Sequence, residues 1–417
     1  MDLTKAAKEI FLKAVDEVKP ENIINEDLLF KEPFYLFGSG KASIECARAV
    51  EKIALDRIKS GFVVCNYSSA LQKSEVFESS HPIPSQKSLK ASDEMIKRIS
   101  SLKKEDKFIY LLSGGSSALL EKPIPPISLR EFQNLTSLLL LRGADIYEIN
   151  SVRKHLSSVK GGRVAKLCKA KGRVLVISDV LGDSLEVIGS APFYFDRSTF
   201  KDVYEILRDY DIWDEISDSI REIVLKGLRG EVEETLKESL KNIEHIIIAN
   251  NKKALNAAKR EALKMGFEAD VLDKPIEMDV KDAALFLLKK ARSENRSLIF
   301  GGECTVEVKG SGKGGRNQEL CLRVLKLMKK DDDFVFLSGG SDGIDGNSDA
   351  AGAVVSFNLK KRVGEEVIDK YLENNDSNGF FERFGGVLKT SYTGTNVADI
   401  GIILKEKRWE TFSKTAL

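Results

Sequence analysis

A chain of 417 residues, 42% apolar and 31% charged, has enough hydrophobic material for a substantial core, best divided between two domains. Its formal net charge of +1 argues against a surface built for nucleic acid, and no apolar run is long enough to cross a bilayer. The five scattered cysteines include no CxxC pair, which argues against a disulfide framework or a structural zinc and for a reducing, cytoplasmic setting.

The first element is an amphipathic helix: Ala7, Ile10, Phe11, Ala14, Val15 and Val18 recur with helical rhythm, and the stretch lacks a signal-peptide h-region. Short β-branched and aromatic runs then alternate with helical patterns, as in parallel-sheet α/β architecture. Strands are expected at FYLF (34–37), GFVVC (61–65), FIYLL (108–112), VLVI (174–177), HIIIA (245–249), SLIF (297–300) and FVFL (334–337). Segment 201–242 is charged and helical and reads as a bridge. Segment 361–386, with its NNDSNG, reads as a surface helix and turn. LSGGS occurs at 112–116 and again at 337–341, each time after a strand. The echo fits two Rossmann-like units, residues 1–242 and 243–417, and fits equally a chance reuse of one strand-to-turn solution.

What the strands end in is more informative than the strands. FYLF runs into GSGK, FIYLL into SGGSS, VLVI into SDVLGD, SLIF into GGECT and FVFL into SGGSDGIDG. Ligands of open α/β sheets bind outside the carboxyl ends of strands, so five such turns together favour a site.

FGSGKAS (37–43) is not a Walker A loop, because only Ser39 separates Gly38 from Gly40 and Ala42 stands where a hydroxyl should be. It still places backbone N–H groups and Lys41 at a helix N-terminus, where a phosphate is welcome. SGGSSALL (113–120) lacks the G-x-S-x-G spacing of a nucleophile elbow, so Ser113, Gly114, Gly115 and Ser116 read as hydrogen-bond donors. In EINSVRKHLSSVKGGRVAK (148–166), Arg153 could clamp a carboxylate and Lys160 face a phosphate; the alternative is a solvated basic helix. HPIPS (81–85) reads as a rigid proline turn that sets local shape, with a pocket wall as the alternative. Three histidines without HxH or HxxxH spacing make a zinc site improbable.

GGECTVEVKGSGKGGRNQEL (301–320) is the most specific stretch. Its glycines, including Gly312 and Gly314, together with Lys313, Arg316 and Asn317 at the start of an apolar helix, suit a polyphosphate; a flexible hairpin is the alternative. Asp179 and Asp183 in SDVLGD, Asp342 and Asp345 in SDGIDG, and Glu303 could hold Mg²⁺ or take a proton from a hydroxyl. The aspartates could equally cap helices.

Taken in order, GSGKAS, LLSGGSSALL, EINSVRKHLSSVKGGRVA, ISDVLGD, GGECTVEVKGSGKGGRNQE and GSDGIDG resemble the class II glycerate kinase (glycerate 2-kinase) family with its C-terminal MOFRL domain, from Phe37 to Ile402. The resemblance implies an α/β protein of two Rossmann-like three-layer domains, with mainly parallel sheets and the site in an inter-domain cleft. It implies transfer of the ATP γ-phosphoryl group to D-glycerate, giving 2-phosphoglycerate, with ATP and Mg²⁺ as cofactors. The partners are then small molecules, with no nucleic acid and no membrane, and a homo-oligomer is left open. Carried onto this chain, Lys41 and Lys160 would neutralise the transferred phosphoryl, Arg153 would hold the glycerate carboxylate, and Asp179 would be base or magnesium ligand. Ser113–Ser116 and Gly312, Lys313, Gly314, Arg316 and Asn317 would cradle the nucleotide, with Asp183, Glu303, Asp342 and Asp345 near the metal. GSAPF (189–193) departs from the family pattern, with Ala191 where a glycine usually precedes the proline. A hydroxypyruvate reductase and a non-catalytic sugar-acid sensor are the competing readings. For the reductase, GSGK lacks the third fingerprint glycine, and GSGKGG (310–315) matches only by letter.

Overall fold

The computed structural model describes residues 2–406, so residues 407–417 of the expected second domain lie outside the described residues. The chain forms two compact units: Ile23–Ile248, and the segments flanking it, up to Asn22 and from Ala249 onward.

The unit Ile23–Ile248 is built on β1 (Phe34–Ser39), β2 (Ile58–Cys65), β3 (Ser74–Glu78), β4 (Lys107–Leu112), β5 (Lys171–Ile177) and β6 (Ile243–Ala249), in the order β3-β2-β1-β4-β5-β6. The β1–β2, β2–β3, β1–β4 and β4–β5 pairs are parallel. Phe62, Val64, Phe108, Tyr110, Val174 and Val176 line one face, against Ala91, Met95 and Ile99 of the helix Gln86–Ser100. The other face carries the helix Ser43–Ala54, whose Ser43 packs near Gly38 and Leu111. The strand order reverses between β1 and β4, and the GSGK and SGGS turns leave the sheet at that switch point.

Segment 201–242, expected as a bridge, belongs to this unit. The helices Phe200–Asp209 and Asp218–Leu228 bury Phe200, Val203, Leu207, Ile220 and Ile223 in one cluster with Phe132, Leu135, Ile149 and Val152. The charge that marked the segment lies on the outer faces of amphipathic helices.

The other unit holds β7 (Ala269–Val271), β8 (Ser297–Gly302), β9 (Phe334–Gly340), β10 (Gly352–Ser356), β11 (Val387–Leu388) and β12 (Asp399–Lys405), in the order β11-β10-β9-β12-β8-β7. β7 and β8 pair in parallel, and β12 lies antiparallel between β8 and β9, which therefore share a direction. β10 is antiparallel to both β9 and β11. Pairing strand by strand is thus mixed here, while β7, β8, β9 and β11 point the same way. One face packs the helices Val280–Ser293 and Arg316–Leu327 through Leu287, Leu288, Leu320 and Leu325 against Leu298, Phe300 and Phe336.

The N-terminal helix Leu3–Asp16 covers the opposite face, and a Cβ at Gly339 would lie 2.9 Å from the Phe11 ring. Its apolar stripe needs a sheet to bury it, which is why the first residues join the unit completed by the end of the chain. The expected boundary after residue 242 differs at the other end too. β6 extends the first sheet beside β5, where Gly172 N donates to Asn242 O at 2.8 Å. Segment 361–386 forms the helices Glu365–Glu373 and Ser377–Phe384, which expose their charged faces, as expected of surface helices, and bury Ile368, Phe380 and Phe381. Among the described residues no helix is long and apolar enough to cross a membrane.

Candidate active site

In the unit Ile23–Ile248 the turns after β1 and β4 are bolted together. Lys41 N donates to Gly114 O at 2.8 Å, Ser113 N to Ser39 O at 3.1 Å, and Ala42 N to Ser113 Oγ at 3.0 Å. Ser39 Oγ shares hydrogen bonds with Tyr110 Oη at 2.6 Å and Ser116 Oγ at 2.5 Å. Ser113 and Ser116, expected as ligand donors, are therefore buried and hold the two turns in register. What the turns present is the glycine pair. A side chain at Gly114 would run into the carboxylate of Asp179, which follows β5. Gly115 has φ +83°, and a Cβ there would stand 2.9 Å from His81 Cδ2 and 3.3 Å from Lys41 Cγ. Lys41, Asp179 and His81 thus surround one glycine pair, from three elements far apart in sequence. The glycines are what let them close in.

A second layer lies behind. Lys160 is buried, and its ammonium donates to Ser117 O at 2.6 Å and Leu120 O at 3.0 Å and pairs with Glu121 at 3.2 Å. Burial lowers its pKa to about 8, against the pull of Glu121. Arg153 Nη2 donates to the same Ser117 O at 3.2 Å and lies 3.6 Å from Glu121. Arg153 and Lys160 thus converge on the backbone just after the Ser113–Ser116 turn and on a wholly buried carboxylate. Neighbouring charges are equally engaged: Lys154 pairs with Asp196 at 2.6 Å, and His155 Nε2 bonds Glu234 at 2.9 Å. Asp183 stands in a tight turn with φ +57°, its N–H donating to Val180 O.

In the other unit the glycine-rich stretch is fastened along its length. Lys309 N and Gly310 N donate to Asn375 Oδ1 at 2.7 and 2.9 Å, Gly312 N to Asn374 O at 2.9 Å, Lys313 N to Asp376 Oδ1 at 3.0 Å, and Gly314 N to Asn347 Oδ1 at 2.8 Å. The amides expected to cradle phosphate thus have protein partners, most of them in the NNDSNG segment. Asp345, expected near a metal, caps the helix Arg316–Leu327. Its carboxylate accepts from Asn317 N at 3.0 Å and Gln318 N at 2.9 Å, and from both side-chain amides. Burial raises its pKa to about 6 in spite of these donors. Asn317 is buried, its Oδ1 accepting from Ser338 Oγ at 2.6 Å.

Charge that remains at the strand ends belongs to Arg316, Glu303, Asp342 and Asp399. Arg316 forks onto Asp399, with Nε at 2.6 Å and Nη2 at 3.1 Å, and reaches Glu303 with Nη1 at 2.7 Å. A Cβ on Gly340 would lie 3.2 Å from Asp342 Oδ1 and 3.7 Å from Asp399 Oδ1, so both carboxylates flank the end of β9. Among the described residues no group of three or more His, Cys, Asp or Glu side chains is disposed to hold a metal.

A family model described as a domain of unknown function (DUF4147) matches residues 6–225, and the MOFRL family model matches residues 296–399. A glycerate 2-kinase of Pyrococcus horikoshii is 41% identical, over 95% of this chain and 93% of its own. The chain belongs to the glycerate 2-kinase family. A D-glycerate 2-kinase of Thermotoga maritima is 38% identical, covering 96% of this chain and 99% of its own. The crystal structure of a glycerate kinase from Thermotoga maritima superposes with a TM-score of 0.88 at 37% identity, over 97% of this chain and 99% of that one.

Within this kinase-family fold, four groups escaped the sequence reading. Asp399 carried a weak signal as an acidic residue entering an apolar run, IGIIL, which forms β12. Glu121, just beyond SGGSSALL, belongs to no motif, and His81 opens the HPIPS turn, for which a pocket wall is only the alternative. The Asn374–Asp376 side chains lie in the NNDSNG stretch, expected only as part of a surface helix and turn. Each acquires its place through partners dozens of residues away.

Proposed function

We infer that the chain phosphorylates D-glycerate at its 2-hydroxyl with ATP as donor, releasing ADP. The observation that carries this is kinship with glycerate 2-kinases across nearly the whole of both chains. The geometry of the switch point supports it. Phosphoryl transfer asks a protein for positioning and charge stabilisation. Lys41 supplies the positive charge beside the Gly114–Gly115 turn, and Asp179 is the carboxylate placed there to accept the hydroxyl proton as oxygen attacks the γ-phosphorus. Lys160 and Arg153 act one layer back, clamping the Ser117 carbonyl so that the turn keeps its shape, with Glu121 as their counter-charge. Lys313 and Arg316 serve the nucleotide through their side chains, while the amides of Gly312 and Gly314 stay with their protein partners.

Magnesium takes oxygen ligands and needs only one or two carboxylates when nucleotide phosphates complete its shell. Asp342 at the end of β9 fits that need and would hold the ion; Asp345, engaged by four N–H donors, does not. When bound, the ion would neutralise phosphate charge. The five cysteines are buried free thiols, which supports a cytoplasmic setting.

The reductase reading is not favoured. Residues 310–315 match a dinucleotide fingerprint by letter but follow an irregular stretch, not a strand. The decisive experiment is incubation of the protein with D-glycerate, ATP and Mg²⁺, followed by ³¹P NMR. The expected product is 2-phosphoglycerate; 3-phosphoglycerate would overturn the regiochemistry, and no phosphorylated product would overturn the reading.

A further inference from the structure

His81 is the chain's one histidine whose ring reaches the switch-point turn. The segment that carries it, just after β3, is pinned on both sides. Ser79 N donates to Cys65 O at 2.8 Å, Ser79 Oγ to Leu119 O at 2.8 Å, and the Ser80 and Ser85 hydroxyls share a hydrogen bond at 2.6 Å. Held this way, the imidazole lies against Gly115: a Cβ built there would stand 2.9 Å from Cδ2 and 3.1 Å from Nε2, and 3.3 Å from Lys41 Cγ. The ring and the lysine stem thus flank the same glycine, and the Asp179 carboxylate flanks the next one.

We propose that His81 is a substrate-contacting residue, hydrogen-bonding the carboxylate of the acceptor hydroxy acid beside Lys41. This rests on the kinase reading above. In a 2-hydroxy acid the carboxylate sits on the carbon next to the hydroxyl. A donor for it must therefore adjoin the group that handles the hydroxyl, and His81 flanks Gly115 while Asp179, the proton acceptor, flanks Gly114. Arg153, the residue expected to clamp the carboxylate, is instead held on Ser117 O and near Glu121. Burial, and then the charge of Lys41, push the His81 imidazole down to about 4. At neutral pH it is an uncharged ring, which leaves Lys41 as the cation of the pair and lets His81 act by direction more than by charge. The other two histidines have separate employment: His155 bonds Glu234 and Ser151 O, and His245 packs edge-on against Tyr194 at 5.0 Å.

Having only three histidines makes the test direct. The ring Cε1–H resonances of the full chain are followed by NMR while D-glycerate is added, with His81 assigned through His81→Gln. The expected result is a saturable shift confined to His81, with His155 and His245 as internal references. In steady-state kinetics His81→Gln should raise KM for D-glycerate about tenfold, as loss of one hydrogen bond would, and leave KM for ATP within about twofold. A parent enzyme that forms 2-phosphoglycerate while D-glycerate leaves the His81 resonance unmoved overturns the contact alone. So does an unchanged glycerate KM in the variant. A parent protein that makes no phosphorylated product overturns the kinase reading and this contact with it.

Discussion

Asp399 grips the guanidinium of Arg316 with both carboxylate oxygens, accepting from Nε at 2.6 Å and Nη2 at 3.1 Å. The two residues come from opposite ends of the sequence logic. Arg316 opens a helix that the glycine stretch announces, whereas Asp399 begins β12, wedged between β8 and β9 and paired with Gly302 and Gly340. Burial disfavours the charge on Arg316, but the Asp399 hydrogen bond and attraction outweigh it and raise its pKa above the ordinary arginine value. Bidentate pairing fixes orientation as well as charge.

Asp399→Asn removes one oxygen of that fork and its charge while keeping shape. We expect kcat/KM to fall about tenfold to a hundredfold, the scale of a mis-set catalytic or binding group. The thermal midpoint should also fall, because the largely buried guanidinium then keeps only Glu303 as ion-paired counter-charge. Asp399→Glu should not restore the rate, because an added methylene shifts the fork. Steady-state kinetics of both variants check this, and parental activity in Asp399→Asn would show that the grip has no bearing on turnover.

The fastening of the glycine stretch depends on Asn375, whose Oδ1 accepts two backbone N–H groups and whose Nδ2 donates to Glu319 at 2.9 Å. Asn375→Ala strands those partners in a buried setting, which should cost about 1–3 kcal/mol of stability. The loosened loop should also raise KM for ATP more than KM for D-glycerate. Urea denaturation and two-substrate kinetics test the two halves separately.

Ala191 has φ +55°, following Gly189 and Ser190 at +59° and +58°. A left-handed residue with a Cβ carries roughly 1–2 kcal/mol of strain. Ala191→Gly relieves it but adds about 0.5–1 kcal/mol of unfolded-state freedom. The expected Tm is therefore equal to or above that of the parent. Ala258→Gly, within the helix Asn251–Lys264, has no such strain to relieve and should lower stability by about 1 kcal/mol. A clear loss in both variants would show that the turn around Ala191 is relaxed.

Burial pushes both His245 and His81 down to about 4 from 6.5. Because their folded pKa values are depressed, the unfolded chain binds protons first as pH drops. The stability tied to their neutral forms is full above about 6.5 and lost on acidification toward 4, at no more than about 1.4 kcal/mol per pH unit for His245 and less for the partly exposed, solvent-screened His81. His245→Phe should make the urea midpoint decline less steeply across that window than in the parent. A slope identical to the parent's would mean that His245 titrates normally in the folded state.

Much of the fold could be read before any coordinates. Every run read as a strand is one, from FYLF in β1 to FVFL in β9, because buried strands must be apolar and β-branched whatever they pair with. The strands that escaped are β3, β7, β10, β11 and β12. Several are short or at sheet edges, and the apolar run that forms β12 is interrupted in sequence by Gly401. Lys41, Gly114 and Asp179 were each singled out by type, but their meeting depends on the strand order, which puts β1 beside β4 and β4 beside β5.

Residue type and spacing alone determined where the chain turns, which faces are apolar and which strand ends bear lysine, glycine and aspartate, since these follow from local sterics and periodicity. The tertiary structure decided what the polar groups do. Asp345 could cap or bind a metal, Lys160 could meet a phosphate or a carbonyl, and residues 310–315 could cradle a ligand or be strapped down. In each case the deciding partner was distant in sequence: Gln318, Ser117 and Asn375. Hydrogen-bonding capacity is written in a side chain, but whether it is satisfied by protein or left for a substrate depends on which long-range neighbours the fold delivers.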